Sequence, residues 1–124
     1  MDDYVEKLRQ TIIDTSGISA TPLKGLKVCV NAGNGAGGFF ATQVLAPLGA
    51  DVSSSINLEP DGAFPNHPAN PEDKKHVAAT IDAVAASGAD VGVMLDCDVD
   101  RCGLIDGTTS KPEPVNRNRL VALA

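Results

Sequence analysis

The alternation of short apolar runs with stretches of helical composition constrains the fold of this 124-residue chain more than any other feature. The apolar runs cover residues 26–31, 51–56 and 90–95, and a shorter one covers residues 103–106. Helical patterns separate the first three runs. Strands that alternate with helices form α/β domains whose sheets are mostly parallel. The sequence therefore predicts a single α/β domain over residues 1–124.

Helices are predicted before, between and after the strands. A leading helix and its linker occupy residues 1–24. Further helices are predicted from a glycine-rich segment to about Leu48, over residues 72–87 and over residues 116–124. Residues 57–73 contain four prolines, which exclude a regular helix or strand there. The sequence therefore predicts a long loop over that stretch.

The glycine-rich segment follows the first strand and opens the next helix. Gly33, Gly35 and Gly38 fit the spacing G-x-G-x-x-G, in which backbone amides and a helix N-terminus can hold an anion. A dinucleotide site also needs an acidic residue at the end of the second strand, where this chain has Ser-Ile-Asn. We therefore interpret the segment as a tight turn packed against a neighbouring surface, or as a site for a ligand other than a nucleotide.

Three aspartates, Asp96, Asp98 and Asp100, alternate with other residues directly after the third apolar run. Alternate side chains share a face of a strand, and in a tight loop they can converge on one point. Converging carboxylates repel one another unless a cation lies between them, and such oxygen ligands suit Mg2+ or Ca2+ better than zinc. Arg101 adds a planar donor group that suits a phosphate. A divalent cation beside such an arginine indicates phosphoryl chemistry.

Two other interpretations of these aspartates start from the same residues. An EF-hand needs glycine at its sixth position and glutamate at its twelfth, where this chain has Arg101 and Gly107, so we reject it. The segment also resembles the D-x-D-x-[TV] strand end of a haloacid-dehalogenase-like phosphatase, with Asp96 as nucleophile and Asp98 as acid. Asp100 stands in place of the threonine or valine, which counts against that interpretation.

Charge and hydropathy exclude several classes of partner. The formal net charge is -6, which argues against nucleic acid and anionic membranes as partners. No apolar run is long enough to cross a bilayer, and the acidic N-terminus is unlike a signal peptide. The three cysteines are an odd count and carry little evidence for zinc. We therefore expect a cytoplasmic protein with reduced thiols.

The sequence gives no strong evidence for a functional role of the two histidines or of the first cysteine. His67 lies in the proline-rich loop and either helps to bind a ligand or hydrogen-bonds its own backbone. His76 lies on a predicted helix and is expected to face solvent. Cys29, within the first strand, is expected to be a buried thiol.

Three segments together resemble the alpha-D-phosphohexomutase superfamily, which includes phosphomannomutase, phosphoglucomutase and phosphoglucosamine mutase. They are the aspartate motif at 96–101, the turn Asn-Ala-Gly-Asn-Gly-Ala-Gly-Gly at 31–38 and the segment Glu-Pro-Asp-Gly-Ala-Phe-Pro-Asn-His at 59–67. Their order and spacing are similar to those of the second domain of that superfamily. The resemblance implies a three-layer α/β/α sandwich with a mixed four-stranded sheet, order 2-1-3-4, in which strand 4 is antiparallel.

The resemblance also implies a role for the residues of the aspartate motif. Asp96, Asp98 and Asp100 would each give an oxygen to Mg2+, and Arg101 would act catalytically by contacting a phosphoserine on another domain. That phosphoserine would exchange phosphoryl groups with a hexose phosphate, in an isomerase whose four domains surround one cleft. The implied partners are the other domains of the parent mutase and the hexose phosphate substrate.

Two departures from the superfamily pattern accompany the resemblance. Cys97 and Val99 stand where the motif usually has glycines, and valine is costly if its position takes a positive φ angle. No serine of this chain has the Ser-His-Asn-Pro-like setting of the phosphoserine. We therefore expect the metal-binding domain of a longer mutase, which folds alone, binds Mg2+ weakly and lacks mutase activity. The alternatives are a self-contained phosphatase and a non-catalytic sugar-phosphate binding module.

Overall fold

The computed structural model describes residues 1–123, and within them helices flank a mixed four-stranded sheet. In chain order the elements are α1 (Asp2–Ser16), β1 (Val28–Asn31), a π-helix (Phe40–Leu45), α2 (Lys74–Ser87), β2 (Val91–Leu95), β3 (Cys102–Asp106), β4 (Glu113–Pro114) and α3 (Arg117–Leu123). The predicted fold class, an α/β sandwich with a mixed sheet, is confirmed. The last residue of the helix predicted over 116–124 lies outside the described residues.

The sheet has the order β1-β2-β3-β4, with one parallel and two antiparallel pairs. β1 runs parallel to β2, β3 is antiparallel to β2, and β4 is antiparallel to β3. The antiparallel direction predicted for residues 103–106 is therefore confirmed. All four residues of β1 are buried, as expected of a strand that is covered on both faces.

The prediction of a regular strand at residues 51–56 is wrong, although the segment lies beside β1 as the order 2-1-3-4 requires. Two isolated parallel bridges join Lys27 to Asp51 and Asn31 to Ile56. Between the bridges, the Asp51 carboxylate and a serine hydroxyl accept hydrogen bonds from backbone N–H groups. These side-chain hydrogen bonds compete with those of a regular strand ladder. The fourth regular strand is instead the short β4, at the opposite edge of the sheet.

Helix α2 covers one face of the sheet. Its N-cap is Asp73, whose carboxylate accepts hydrogen bonds from two backbone N–H groups of the first turn, and it ends at Gly88 with a φ of 67°. A Cβ atom at Gly92 of β2 would lie only 2.8 Å from Val84, so glycine is what allows this close approach.

The other face of the sheet is covered by the π-helix, and α1 packs on the outside of that helix. Val5 of α1 forms a buried cluster with Val44 and Leu48. The helix predicted from the glycine-rich segment is therefore present, but its centre is a π-helix, in which Ala46 N–H donates to Ala41 C=O. Among residues 1–123, no helix is both long enough and apolar enough to span a membrane.

The parallel pairing of β1 with β2 places two connections side by side at the carboxyl edge of the sheet. The glycine turn, residues 32–38, follows β1, and the aspartate loop, residues 96–101, follows β2. Ala36 N–H donates to Cys97 C=O at 3.0 Å, which joins the two connections directly. The predicted neighbourhood of the two motifs is therefore observed.

Candidate metal centre

The aspartate loop is the hairpin connection between β2 and β3. Leu95 pairs with Cys102 at its base. Within the loop, Asp96 N–H donates to Arg101 C=O at 3.2 Å, and Asp96 Oδ1 accepts from Arg101 N–H at 3.1 Å. The first and last residues of the loop therefore close it, and the residues between them form a tight turn.

The loop brings together all three aspartates that the sequence singled out. One carboxylate oxygen each of Asp96, Asp98 and Asp100 lie within 4.8 Å of one another. Asp96 is 1% exposed, whereas the other two are exposed. The donor set consists of oxygen atoms, although an exposed cysteine, Cys97, lies between the first two aspartates. This chemistry fits a hard divalent cation such as Mg2+.

Arg101 lies against the same carboxylates. Its Nε atom is 3.1 Å from Asp96 Oδ2 and 3.6 Å from Asp100 Oδ1, and its side chain is 46% exposed. No hydrogen bond within residues 1–123 engages its two terminal nitrogens. The guanidinium therefore offsets part of the negative charge while its outer nitrogens can still donate to an anion at the surface of the loop.

The crowded carboxylates have opposite pKa shifts. Burial acts to raise the pKa of Asp96, but hydrogen bonds from Arg101 and from its two acidic neighbours outweigh burial and lower that pKa. The hydrogen bond to Asp96 raises the pKa of Asp100, and the charges of Asp98 and Asp96 raise it further. Opposite shifts of this kind are expected when neighbouring carboxylates share a proton, and a bound cation relieves the same repulsion.

Val99 occupies a strained position in this loop. Its φ angle is 66°, in the left-handed region that costs an L-residue about 1–2 kcal/mol. Its side chain is half-buried and packs against the core cluster that contains Leu95. The expected cost of valine in place of a loop glycine is therefore present at residue 99. Cys97 does not have a positive φ angle, so its replacement of a glycine carries no such strain.

The glycine turn supports the aspartate loop from the side. A Cβ atom at Gly35 would lie 2.8 Å from Cys97 Cα, and one at Gly37 would lie 2.6 Å from Leu95 Cδ1. A Cβ atom at Gly38 would lie 1.9 Å from a backbone oxygen of the proline-rich loop. The glycine spacing is therefore explained by close packing, which supports the interpretation as a packed turn.

Both histidines are buried, which sequence reasoning missed. His76 is 0% exposed, so the prediction that it faces solvent is wrong. It lies on the inner face of α2 with Thr80 and Val84, and this spacing of four residues was the signal in the sequence. Its ring stacks on that of His67 with a centroid distance of 4.3 Å. His67 donates to its neighbour's C=O at 2.9 Å, so the predicted backbone hydrogen bond is present.

Asn31, the last residue of β1, connects these histidines to the glycine turn. Its side chain is 0% exposed, and its Nδ2 donates to His67 Nε2 at 3.1 Å and to Thr80 Oγ1 at 3.0 Å. Its Oδ1 accepts from Gly33 N–H at 3.0 Å and from Asn57 Nδ2 at 3.1 Å. The amide therefore makes all the hydrogen bonds that it can make.

Known proteins similar to this chain are phosphohexose mutases. The family whose model matches residues 2–111 is described as phosphoglucomutase/phosphomannomutase, alpha/beta/alpha domain II. The chain is 34% identical over 123 residues to a phosphomannomutase/phosphoglucomutase of Pseudomonas syringae, covering 99% of the chain and 24% of that protein. It is 42% identical over 103 residues to a phosphoglucosamine mutase of Chromohalobacter salexigens, covering 83% of the chain and 21% of that protein.

A solved structure has the same fold. A phosphoglucomutase/phosphomannomutase family protein from Burkholderia thailandensis superposes with a TM-score of 0.78 at 29% sequence identity, covering 98% of this chain and 24% of that one. The chain therefore spans between 21% and 24% of the length of these three proteins.

Proposed function

The chain belongs to the phosphoglucomutase/phosphomannomutase family, in which it corresponds to the α/β/α domain II, and from that premise we propose that it is the metal-binding domain of a phosphohexomutase. The observation that carries the proposal is the convergence of three carboxylates within 4.8 Å in one hairpin loop beside an arginine. The proposed substrate is a hexose phosphate, and the proposed phosphoryl donor is a phosphoserine on another domain of the enzyme.

In this proposal the residues of the aspartate loop have two roles, metal binding and phosphate binding. Asp96, Asp98 and Asp100 hold Mg2+, which when bound offsets the negative charge of the transferring phosphoryl group. Asp96 also anchors Arg101 through Nε, which leaves the terminal nitrogens of the guanidinium available to donate to a phosphoryl oxygen. The chain thus supplies positive charge and orientation, and the nucleophile comes from elsewhere in the enzyme.

The geometry of Asp96 fits a metal ligand whose orientation is fixed. Its Oδ1 accepts a hydrogen bond from Arg101 N–H, and its Oδ2 accepts one from Arg101 Nε at 3.1 Å. Each carboxylate oxygen has two lone pairs, so both oxygens of Asp96 keep one that can bind Mg2+. The phosphatase interpretation remains disfavoured by Asp100, which stands in place of the threonine or valine.

A Mg2+ titration of the purified chain tests the proposal, followed by NMR of the loop amides or by calorimetry. We expect weak binding that centres on residues 96–101 and that Asp98→Asn weakens about tenfold or more, since losing one carboxylate removes a ligand. Asp82→Asn, on the exposed face of α2, is the matched control because it makes the same charge change away from the loop. Equal affinity in both variants would sink the proposal.

A mutase assay tests the second part of the proposal. The chain alone should not interconvert glucose 1-phosphate and glucose 6-phosphate, because no serine in it has the phosphoserine setting. Replacing domain II of the Pseudomonas syringae relative with this chain should give a Mg2+-dependent activity that Asp98→Asn lowers. Turnover by the isolated chain would contradict the assignment of the nucleophile to another domain.

A further inference from the structure

Four asparagine side chains connect His67 to the glycine turn, and we call them the amide network: Asn31, Asn34, Asn57 and Asn66. Two hydrogen bonds to the backbone anchor the network at its ends. Gly33 N–H donates to Asn31 Oδ1 at 3.0 Å, and Asn34 Nδ2 donates to Glu59 C=O at 2.9 Å. A backbone group can only donate or only accept in each of these bonds, so the anchors fix which end of each terminal amide carries the oxygen.

The inner amides take their orientations from these anchors. Asn57 Nδ2 donates to the fixed Asn31 Oδ1 at 3.1 Å, so Asn57 Oδ1 is free to accept from Asn66 Nδ2 at 2.9 Å. Asn66 Nδ2 also donates to the fixed Asn34 Oδ1 at 2.9 Å. Both routes along the network therefore require the same orientation of every amide.

The same orientations determine the protonation state of His67. Its Nε2 lies 3.1 Å from Asn31 Nδ2 and 3.2 Å from Asn57 Nδ2, and both of these nitrogens are donors. Its Nδ1 lies 2.9 Å from Pro68 C=O, which can only accept. His67 is therefore the neutral imidazole with its proton on Nδ1, and a proton on Nε2 would face two NH2 groups.

The surroundings of His67 offer little compensation for a positive charge. The ring is 5% exposed and stacks on His76, the other imidazole of the chain. Asp73, the N-cap of α2, acts on His76 through its charge, but its carboxylate caps the helix by accepting from two N–H groups of the first turn. The acids of the proline-rich loop, Glu59 and Asp61, are exposed. β1 and the glycine turn present only uncharged groups.

No carboxylate within residues 1–123 forms an ion pair with either imidazole. Burial lowers the pKa of His76, and the proximity of His67 lowers it further. The His67 ring therefore meets the amide network as an acceptor at Nε2.

The amide network also reaches the aspartate loop. Asn34 has a φ of 61° and is held in this left-handed conformation by its bonds to Asn66 and Glu59. The two residues after it contact the aspartate loop, because Ala36 N–H donates to Cys97 C=O at 3.0 Å. A change in the network therefore moves the turn that supports the aspartate loop.

Resting on the Mg2+ site proposed above, we propose that His67 is a positioning residue for the aspartate loop that works through its acceptor nitrogen Nε2. It acts through Asn57, Asn66 and the glycine turn, and it touches neither the metal nor the substrate. Removing this acceptor then weakens Mg2+ binding, because Asn31 Nδ2 and Asn57 Nδ2 lose the partner that they share.

The test compares the Mg2+ affinity of His67→Gln, which keeps an acceptor oxygen, with that of His67→Leu, which keeps none. We expect His67→Leu to bind Mg2+ about threefold to tenfold more weakly than the parent chain and His67→Gln to recover most of that loss. Asn66→Ala, at an exposed position, should weaken binding about threefold. Asn70→Ala is the matched control, since among residues 1–123 that side chain bonds only the backbone of Glu72.

A second measurement separates this proposal from the Mg2+ site itself. NMR without metal should show the amide signals of Ala36 and Cys97 shifted in His67→Leu and in Asn66→Ala, and close to their parent positions in His67→Gln. If no variant binds Mg2+ but these signals still move together, the metal site is wrong and the positioning role stands. Parent-like signals in His67→Leu would overturn the positioning role.

Discussion

Two polar regions lie side by side at the carboxyl edge of the sheet, and they differ in how far their polar groups are satisfied by partners inside the chain. In the amide network, Asn31 and His67 are buried, and each amide orientation is fixed by partners inside the chain. In the aspartate loop, three carboxylates crowd one another, two of them are exposed, and Val99 has a strained backbone. The first region completes its own hydrogen bonds, whereas the second leaves negative charge exposed at the surface.

The difference shows how a stable fold can carry an unfavourable cluster of charges. A fully satisfied buried network rigidifies its surroundings and specifies one geometry. Crowded carboxylates and a left-handed valine cost stability, and such strain persists only where neighbouring structure holds it. The glycine turn contacts both regions, so the amide network supports the conformation of the aspartate loop through this turn.

The largest effect should come from the centre of the network. Asn31→Ala removes four hydrogen bonds at once and leaves His67, Thr80, Gly33 and Asn57 without one partner each. Because buried groups that lose their partners cost about 1–3 kcal/mol each, we expect a loss of at least about 3 kcal/mol in the free energy of unfolding. Urea denaturation measures it.

The control for this variant is Asn116→Ala, which removes an exposed asparagine that caps α3 through Asn118 N–H. That change should lower the free energy of unfolding by about 1 kcal/mol or less. If the two variants lose similar stability, the buried network does not hold the edge of the sheet, and the contrast between the two regions fails.

The contact between the two regions should give the next largest effect. In Gly35→Ala the new methyl group would lie 2.8 Å from Cys97 Cα and 2.9 Å from Cys97 C=O, so the turn must move away from the aspartate loop. Forcing a methyl group into such a contact costs about 1–3 kcal/mol, and Mg2+ affinity should fall with it. Urea denaturation and the Mg2+ titration measure the two effects.

Gly62→Ala is the matched control, because no atom in the described part of the chain lies within 4 Å of the methyl group that it adds, its own chain neighbours aside. It should change neither the stability by more than about 0.5 kcal/mol nor the Mg2+ affinity. A Gly35→Ala variant with parent-like Mg2+ affinity would show that the two regions are mechanically independent.

The aspartate loop and the glycine turn could be predicted because each motif is contiguous in sequence. Parallel strands then place their carboxyl ends at one edge, so the neighbourhood followed from topology. The amide network and the histidine pair beside it could not be predicted, since residues 31, 57, 67 and 76 meet only in the folded chain. The irregular segment at 51–56 was missed because its pattern is that of a strand, and local side-chain hydrogen bonds decide against the ladder.

The buried ring of His76 should also make stability depend on pH. The pKa of His76 is lower in the folded chain than its ordinary value of 6.5, so the unfolded chain binds more protons. The stability that follows from neutral His76 is therefore complete above about pH 6.5 and is lost as the pH falls below it, with a slope of at most about 1.4 kcal/mol per pH unit. Urea denaturation from about pH 7.5 to about pH 5 measures this slope.

The comparison variant for the pH series is His76→Phe, which keeps an aromatic ring against His67 and removes the titration. Its stability should be flatter with pH over the same range. The lowered pKa of Asp96 acts in a separate window, because that stability is present above its ordinary pKa of 3.8 and is lost only as the pH falls below it. A parent chain whose stability is constant down to about pH 5 would contradict a buried neutral histidine.

The smallest effect should have the opposite sign. Without metal, Asp98→Asn removes one of three crowded charges in the aspartate loop, so the free energy of unfolding should rise by about 0.5 kcal/mol. With saturating Mg2+ the order should reverse, because the parent chain gains binding energy that the variant has lost. Urea denaturation of both chains with and without Mg2+ measures this crossing. In the absence of metal, added salt should reduce the stability that Asp98→Asn gains, because the repulsion that it relieves involves exposed groups. If Asp98→Asn is less stable than the parent chain both with and without Mg2+, Asp98 stabilises the fold. The contrast between the amide network and the aspartate loop would then no longer hold.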